Sequence, residues 1–151
     1  MSSSCELCRH DGGRVLWRDR ALRVVLVDDP DYPGFLRVVW NEHMREMSDL
    51  NAADRERLMK VVFAAETALR QVLAPDKINL ASLGNRTPHV HWHVIPRYEG
   101  DAHFPQPIWA VRQRDPDAAA LAQRAAKLTE LKLVLVRDLG AMAASRAEPP
   151  R

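Results

Sequence analysis

Apolar and polar positions alternate in short runs early in the chain, recur at helical spacing in its middle, then alternate again. Val15 to Trp17 and Leu22 to Val27 predict two strands around an Arg18-Asp19-Arg20 turn. Asp28 to Gly34, dense in Asp, Pro and Gly, predicts a turn. Phe35 to Trp40 predicts a third strand, ending at Asn41-Glu42-His43. Leu58, Val61, Val62, Ala65, Leu69 and Val72 then share one helical stripe, with Arg55, Arg57, Lys60, Glu66 and Arg70 on the polar sides. Asn51 suits the N-cap, Asp54 favours the positive helix end, and Pro75 stops the helix near Ala74. Lys77 to Leu83 predicts a fourth strand. From Thr87 to Arg97 the strand period returns: His89, His91 and His93 alternate with Val90, Trp92 and Val94, and Pro96 closes the run. Residues 97–109 predict a loop ending in a short apolar strand at Ile108-Trp109. Asp117 to Leu139, free of Gly and Pro, predicts a further helix. The pattern implies one domain over 1–139 and a flexible tail over 140–151.

Composition narrows the class. A chain of 151 residues with 46% apolar and 28% charged residues is that of a soluble globular protein with a real core. A net charge of +2 gives no ground for nucleic acid or an anionic membrane as partner. No apolar run approaches the roughly 18 residues of a membrane span. Met1-Ser2-Ser3-Ser4-Cys5 has neither the basic nor the apolar part of a signal peptide, so a cytoplasmic location is expected.

The alternating histidines carry the candidate chemistry. Period two puts three imidazoles on one strand face, about 7 Å apart. Three of the chain's six histidines fall within five positions, which argues against a solvent face that is His-rich by accident. Such a row could chelate a divalent ion. It could also perform nucleotidyl transfer, one neutral imidazole attacking phosphorus while its neighbours handle phosphate oxygens and leaving group.

Both cysteines sit in Cys5-Glu6-Leu7-Cys8. Cys-x-x-Cys is read as a metal or redox motif, and its place at the N-terminus rather than after a strand favours zinc. Two thiolates supply half of a tetrahedral site, and His10, His43, His89 and His103 are the pool for the rest.

His89-Val90-His91-Trp92-His93-Val94-Ile95, followed by Pro96-Arg97, resembles the signature of the histidine triad (HIT) superfamily. The resemblance covers roughly residues 5–110. It implies an α+β fold: an antiparallel sheet of about five strands with one long helix, here joined by a C-terminal helix that it does not explain. By this resemblance Asp28, or Asp29 one residue on, contacts the ribose hydroxyls, and Asn79 contacts substrate phosphate. Gly84-Asn85 matches the family's Gly-Gln pair, so Asn85 stands near the leaving oxygen. Arg86 replaces a small hydroxyl residue and adds a cation to the nucleotide site. Phe35 and Trp40-Asn41-Glu42 depart from the usual pattern. In cysteine-bearing relatives the matching set Cys5, Cys8, His43 and His89 binds structural zinc, with His10 a possible substitute for either histidine. Trp109 and Phe104 are candidates for base stacking or for core and dimer packing. His103 is read as a loop residue.

The function implied is hydrolysis of a nucleotide phosphoanhydride or phosphoramidate, such as diadenosine tetraphosphate. His91 is the nucleophile and His93 and His89 complete the triad. A homodimer is expected, and no organic cofactor. The rivals are a nucleotidyl transferase using the same covalent intermediate, a non-catalytic nucleotide-binding or zinc-stabilised interaction protein, and a metal-dependent hydrolase.

Overall fold

The alternating segments form a single antiparallel sheet, and the helical stripe lies across it. A computed structural model describes residues 5–144. In chain order these form α1 (Glu6–Arg9), β1 (Arg14–Arg18), β2 (Leu22–Leu26), β3 (Leu36–Trp40), a 3₁₀ turn (Met47–Asp49), α2 (Ala52–Leu73), β4 (Lys77–Ala81), β5 (His91–Arg97), α3 (Ala118–Ala126) and α4 (Leu128–Ala144). The strand order is β1-β2-β3-β5-β4, every neighbour antiparallel. The α+β class, the five strands, the long helix and the C-terminal helix are therefore as the pattern and the resemblance imply.

The core lies between one sheet face and α2 and α4. Leu22, Val24, Leu26, Leu36, Val38, Trp40 and Val94 meet all six residues of the predicted α2 stripe there, together with Leu131, Val134, Leu135 and Leu139 of α4. Asn51 caps α2 by accepting from the Asp54 N–H. Ala74 ends it in the left-handed region, since Pro75 disfavours further helix. Gly34 turns the chain into β3 at φ 94°, where a Cβ would stand 2.4 Å from Leu73 Cδ1.

Three expectations differ. Ile108-Trp109 lies in turns, with no strand partner. The helix expected over 117–139 is two helices. Lys127 breaks it: its N–H returns to Arg124 and its ammonium donates to the Val72 carbonyl at the C-terminal end of α2. That break lets α4 turn its apolar face onto α2 and β1, while α3 buries nothing. The expected tail begins as helix, because α4 runs to Ala144; the remainder, 145–151, lies outside the described residues. Among the described residues no helix is long and apolar enough to cross a membrane.

Beyond β5 the chain is held by a buried ion pair. Arg97 donates to Asp101 from Nε at 2.7 Å and Nη2 at 3.1 Å, to Asn79 Oδ1 at 2.6 Å and to the Gln106 carbonyl at 2.7 Å. Asp101 also accepts from Tyr32 Oη and from the N–H groups of Tyr98, His103 and Phe104. Burial alone would raise the Asp101 pKa, but Arg97 and the backbone donors outweigh it and hold the carboxyl at about 2. Removing one partner of such a pair strands the other charge. Asp101→Ala is expected to lower unfolding free energy in urea at pH 7 by about 3–5 kcal/mol. The carboxylate's contribution is complete above the unfolded pKa of 3.8 and is lost as pH falls through about 2, so the variant should show a shallower acid limb in that window.

Candidate active site and metal-binding cluster

The triad does not lie on one strand. β5 starts at His91; His89 sits in the bend before it. The cause is local pairing: Val90 gives its N–H to the Met44 carbonyl and accepts from the Trp40 N–H, so the chain follows the segment after β3 before joining the ladder. His91 and His93 keep the strand period and share a face, their rings edge to face at 4.8 Å between centroids. All three rings are buried, with His89, His91 and His93 1%, 6% and 6% exposed.

His89 turns its ring toward the cysteines. Cys5 Sγ, Cys8 Sγ, His43 Nδ1 and His89 Nδ1 lie within 4.8 Å of one another. His89 Nδ1 is 3.5 Å from Cys5 Sγ, 3.6 Å from Cys8 Sγ and 3.4 Å from His43 Nδ1, and Cys8 Sγ is 3.3 Å from His43 Nδ1. A tetrahedral ion with bonds of about 2.3 Å to sulfur and 2.05 Å to nitrogen needs S···N edges near 3.5 Å and N···N edges near 3.4 Å. The four atoms fit. His89 Nε2 stands 2.6 Å from the Trp40 carbonyl, which can only accept, so Nε2 carries the proton and Nδ1 keeps its lone pair for a metal. His10 is exposed and outside the cluster.

His91 is fixed in the opposite sense. Its Nδ1 lies 2.6 Å from the His89 carbonyl and so carries the proton, leaving Nε2 as the free base. Burial lowers the His91 pKa and Arg37 lowers it further, against the raising effect of the His89 carbonyl. His93 is pushed down to about 3 by burial, then by His91 and Arg37. Its Nδ1 is buried without a partner.

These two histidines line a groove of about 490 Å³ with Arg37, Asn85, Arg86, Thr87, Trp109 and others. Gly84, at φ 72°, opens the loop that brings Asn85 and Arg86 there. Arg86 is exposed at the rim, and Trp109, half exposed, meets His93 edge-on at 5.0 Å. Phe104 is elsewhere, under the Arg97 guanidinium. Asn79 accepts from Arg97 Nη1 at its side-chain oxygen and lines the adjoining groove. Asp28 is exposed past the end of β2 and is not on the lining, while Asp29 is spent on its own turn, accepting from the Asp31 N–H. His103 meets Tyr32 in the loop. Arg37 was not among the sequence candidates. The available signal was a charge inside an apolar central strand, Leu36-Arg37-Val38-Val39.

Residues 11–100 match the model of the HIT domain. The chain belongs to the HIT family. It is similar to a histidine triad protein from Marinobacter aquaeolei VT8, with 29% identity and a TM-score of 0.68, over 88% of this chain and 97% of that one. A Zn-bound histidine triad family protein from Mycobacterium smegmatis shares the fold at 24% identity and a TM-score of 0.64, over 93% of this chain and 99% of that one. Among curated proteins it is 32% identical over 98 residues to an AP-4-A phosphorylase of Mycobacterium tuberculosis, a match covering 61% of this chain. The chain spans about half the length of that relative.

The buried imidazoles give a direct check. In ¹⁵N-resolved ring spectra of this HIT protein at pH 7, His91 should show the Nδ1–H tautomer. His93 should stay neutral from pH 8 down to pH 5, because its pKa near 3 lies far below that window.

Proposed function

We propose that this protein is a nucleotide-processing enzyme that cleaves a phosphoanhydride or phosphoramidate through a nucleotidyl-histidine, with a dinucleoside polyphosphate as the leading substrate. The observation that carries this reading is the 2.6 Å contact of His91 Nδ1 with the His89 carbonyl, which leaves a neutral Nε2 in the groove. Nε2 attacks the α-phosphorus, and the bond to the leaving phosphate oxygen breaks with its electron pair going to that oxygen. The ring, now bonded at Nε2 and protonated at Nδ1, is cationic, and the His89 carbonyl dipole faces that charge. Water then attacks phosphorus. The P–N pair returns to Nε2, the nucleoside monophosphate leaves, and the surplus proton passes to solvent. His93 and Asn85 contact the phosphate oxygens or leaving group in this scheme, and Arg86 adds positive charge at the rim.

A second reading is favoured by the name of the curated relative: inorganic phosphate in place of water would release a nucleoside diphosphate. Diadenosine tetraphosphate turned over with and without phosphate separates the two, since AMP marks hydrolysis and ADP marks phosphorolysis. Intact-mass measurement after brief mixing should show one added adenylyl group on the wild type and none on His91→Ala. The variant's turnover should fall by at least ~10³-fold. Nucleotide binding with neither adduct nor product would sink the enzyme reading.

We also propose that Cys5, Cys8, His43 and His89 hold a structural zinc ion. Two thiolates and two neutral imidazoles make a neutral closed shell with Zn²⁺, which suits a buried site. The ion would tie α1 to the bend before β5 and take no part in bond breaking. Purified protein should carry one zinc per chain, and Cys5→Ser with Cys8→Ser should carry none. Loss of about 3 kcal/mol or more of folding energy would then lower the melting temperature by roughly 6–12 °C.

A further inference from the structure

The two arginines of β2 and β3 stand on the histidine face of the sheet, and the fold treats them differently. Arg23 on β2 is 4% exposed and committed at every nitrogen: Nε to the Asp11 carbonyl at 3.0 Å, Nη1 to Asn41 Oδ1 at 3.0 Å, Nη2 to the Leu7 carbonyl at 2.7 Å. It is a structural clamp on the segment carrying the cysteines. Among the described residues Arg37 on β3 makes one hydrogen bond, from Nη1 to the Gly12 carbonyl at 3.0 Å, and its guanidinium carbon lies over the Phe35 ring, 5.8 Å from the centroid. Its Nε is buried with no partner, and among the described residues no carboxylate comes within 4 Å of it. Glu6, also on the groove lining, is exposed and forms no ion pair with it within 4 Å, though its charge acts on Arg37 from farther away.

Position gives the uncommitted guanidinium its meaning. Arg37 is the register partner of His93 and lines the same groove as His91 and His93. β3 is the central strand of the five, where an unpaired cation is costly to desolvate. A guanidinium with four free N–H donors beside a neutral nucleophile is complementary to phosphate oxygens. We propose that Arg37 is a phosphate-binding residue of this site: it holds non-bridging oxygens of the phosphoryl group that His91 attacks. The groove therefore selects for the anion rather than for the nucleoside. This rests on the nucleotide reading above and adds to it a cation on the groove floor, distinct from Arg86 at the rim.

Calorimetric titration of AMP and of adenosine into metal-loaded wild type, Arg37→Met and Arg37→Lys tests this, with thermal melting of each protein alongside. Wild type should bind AMP at least tenfold tighter than adenosine. Arg37→Met should lose about tenfold or more in AMP affinity while its adenosine affinity stays within about twofold, and Arg37→Lys should recover part of the loss. Equal weakening of both ligands would assign Arg37 to the base or to the fold and overturn the proposal. Unchanged AMP binding would overturn it while leaving the nucleotide reading standing. A wild type that binds neither ligand would remove that reading and the proposal together. Should Arg37→Met not fold, Arg37→Gln, which keeps a donor for the Gly12 carbonyl, carries the same comparison.

Discussion

Two imidazole N–H groups, each given to a backbone carbonyl, set the chemistry of this molecule. His89 gives Nε2–H to Trp40, and His91 gives Nδ1–H to His89, both at 2.6 Å. The two bonds select opposite tautomers two residues apart. One leaves a lone pair for the cysteine cluster, the other a lone pair for the groove. His89 belongs to both, its ring facing Cys5, Cys8 and His43 and its carbonyl facing the His91 ring. A displacement of His89 would therefore disturb the cysteine–histidine cluster and the His91 tautomer at once.

The rest of the fold keeps that residue in place. Val90 is paired to both Trp40 and Met44, so the bend holding His89 is fixed to the end of β3. Trp92 and Val94 on the opposite face of β5 pack on the core beneath α2, which fixes the side on which His91 and His93 emerge. Arg23 holds the Leu7 carbonyl between the two cysteines and thereby sets their height above the sheet. At the far end of β5, Arg97 and Asp101 fold the loop that carries Trp109 to the groove.

Periodicity made the strands and α2 legible, because burial of one face is a local pattern. It failed at Lys127, where a composition good for one helix is overridden by a tertiary bond to the end of α2. It failed again at His89, where the alternation continues in sequence but the backbone partners change. The metal set could be assembled from residue type and family resemblance, and its four ligand atoms do converge. Arg37 was hidden for a different reason. Its meaning depends on the register of β3 against β5, a pairing between strands separated by α2 and β4, which no local pattern reveals.

The electrostatics of the groove follow from burial. Imidazoles cut off from water stay neutral, and Arg37 reinforces this by opposing any proton on His91 or His93. A protonated nucleophile is useless, so the same field that disfavours an imidazolium preserves the attacking lone pair. A phosphate bound as proposed would bring its charge against Arg37 and lower the cost of burying that cation. The proposed covalent intermediate would place a positive ring beside a negative phosphoryl group, with the His89 carbonyl as counterpart for the ring and the Arg37 guanidinium for the oxygens. On that proposal the site is arranged for the charge distribution of the reacting complex more than for its own empty state.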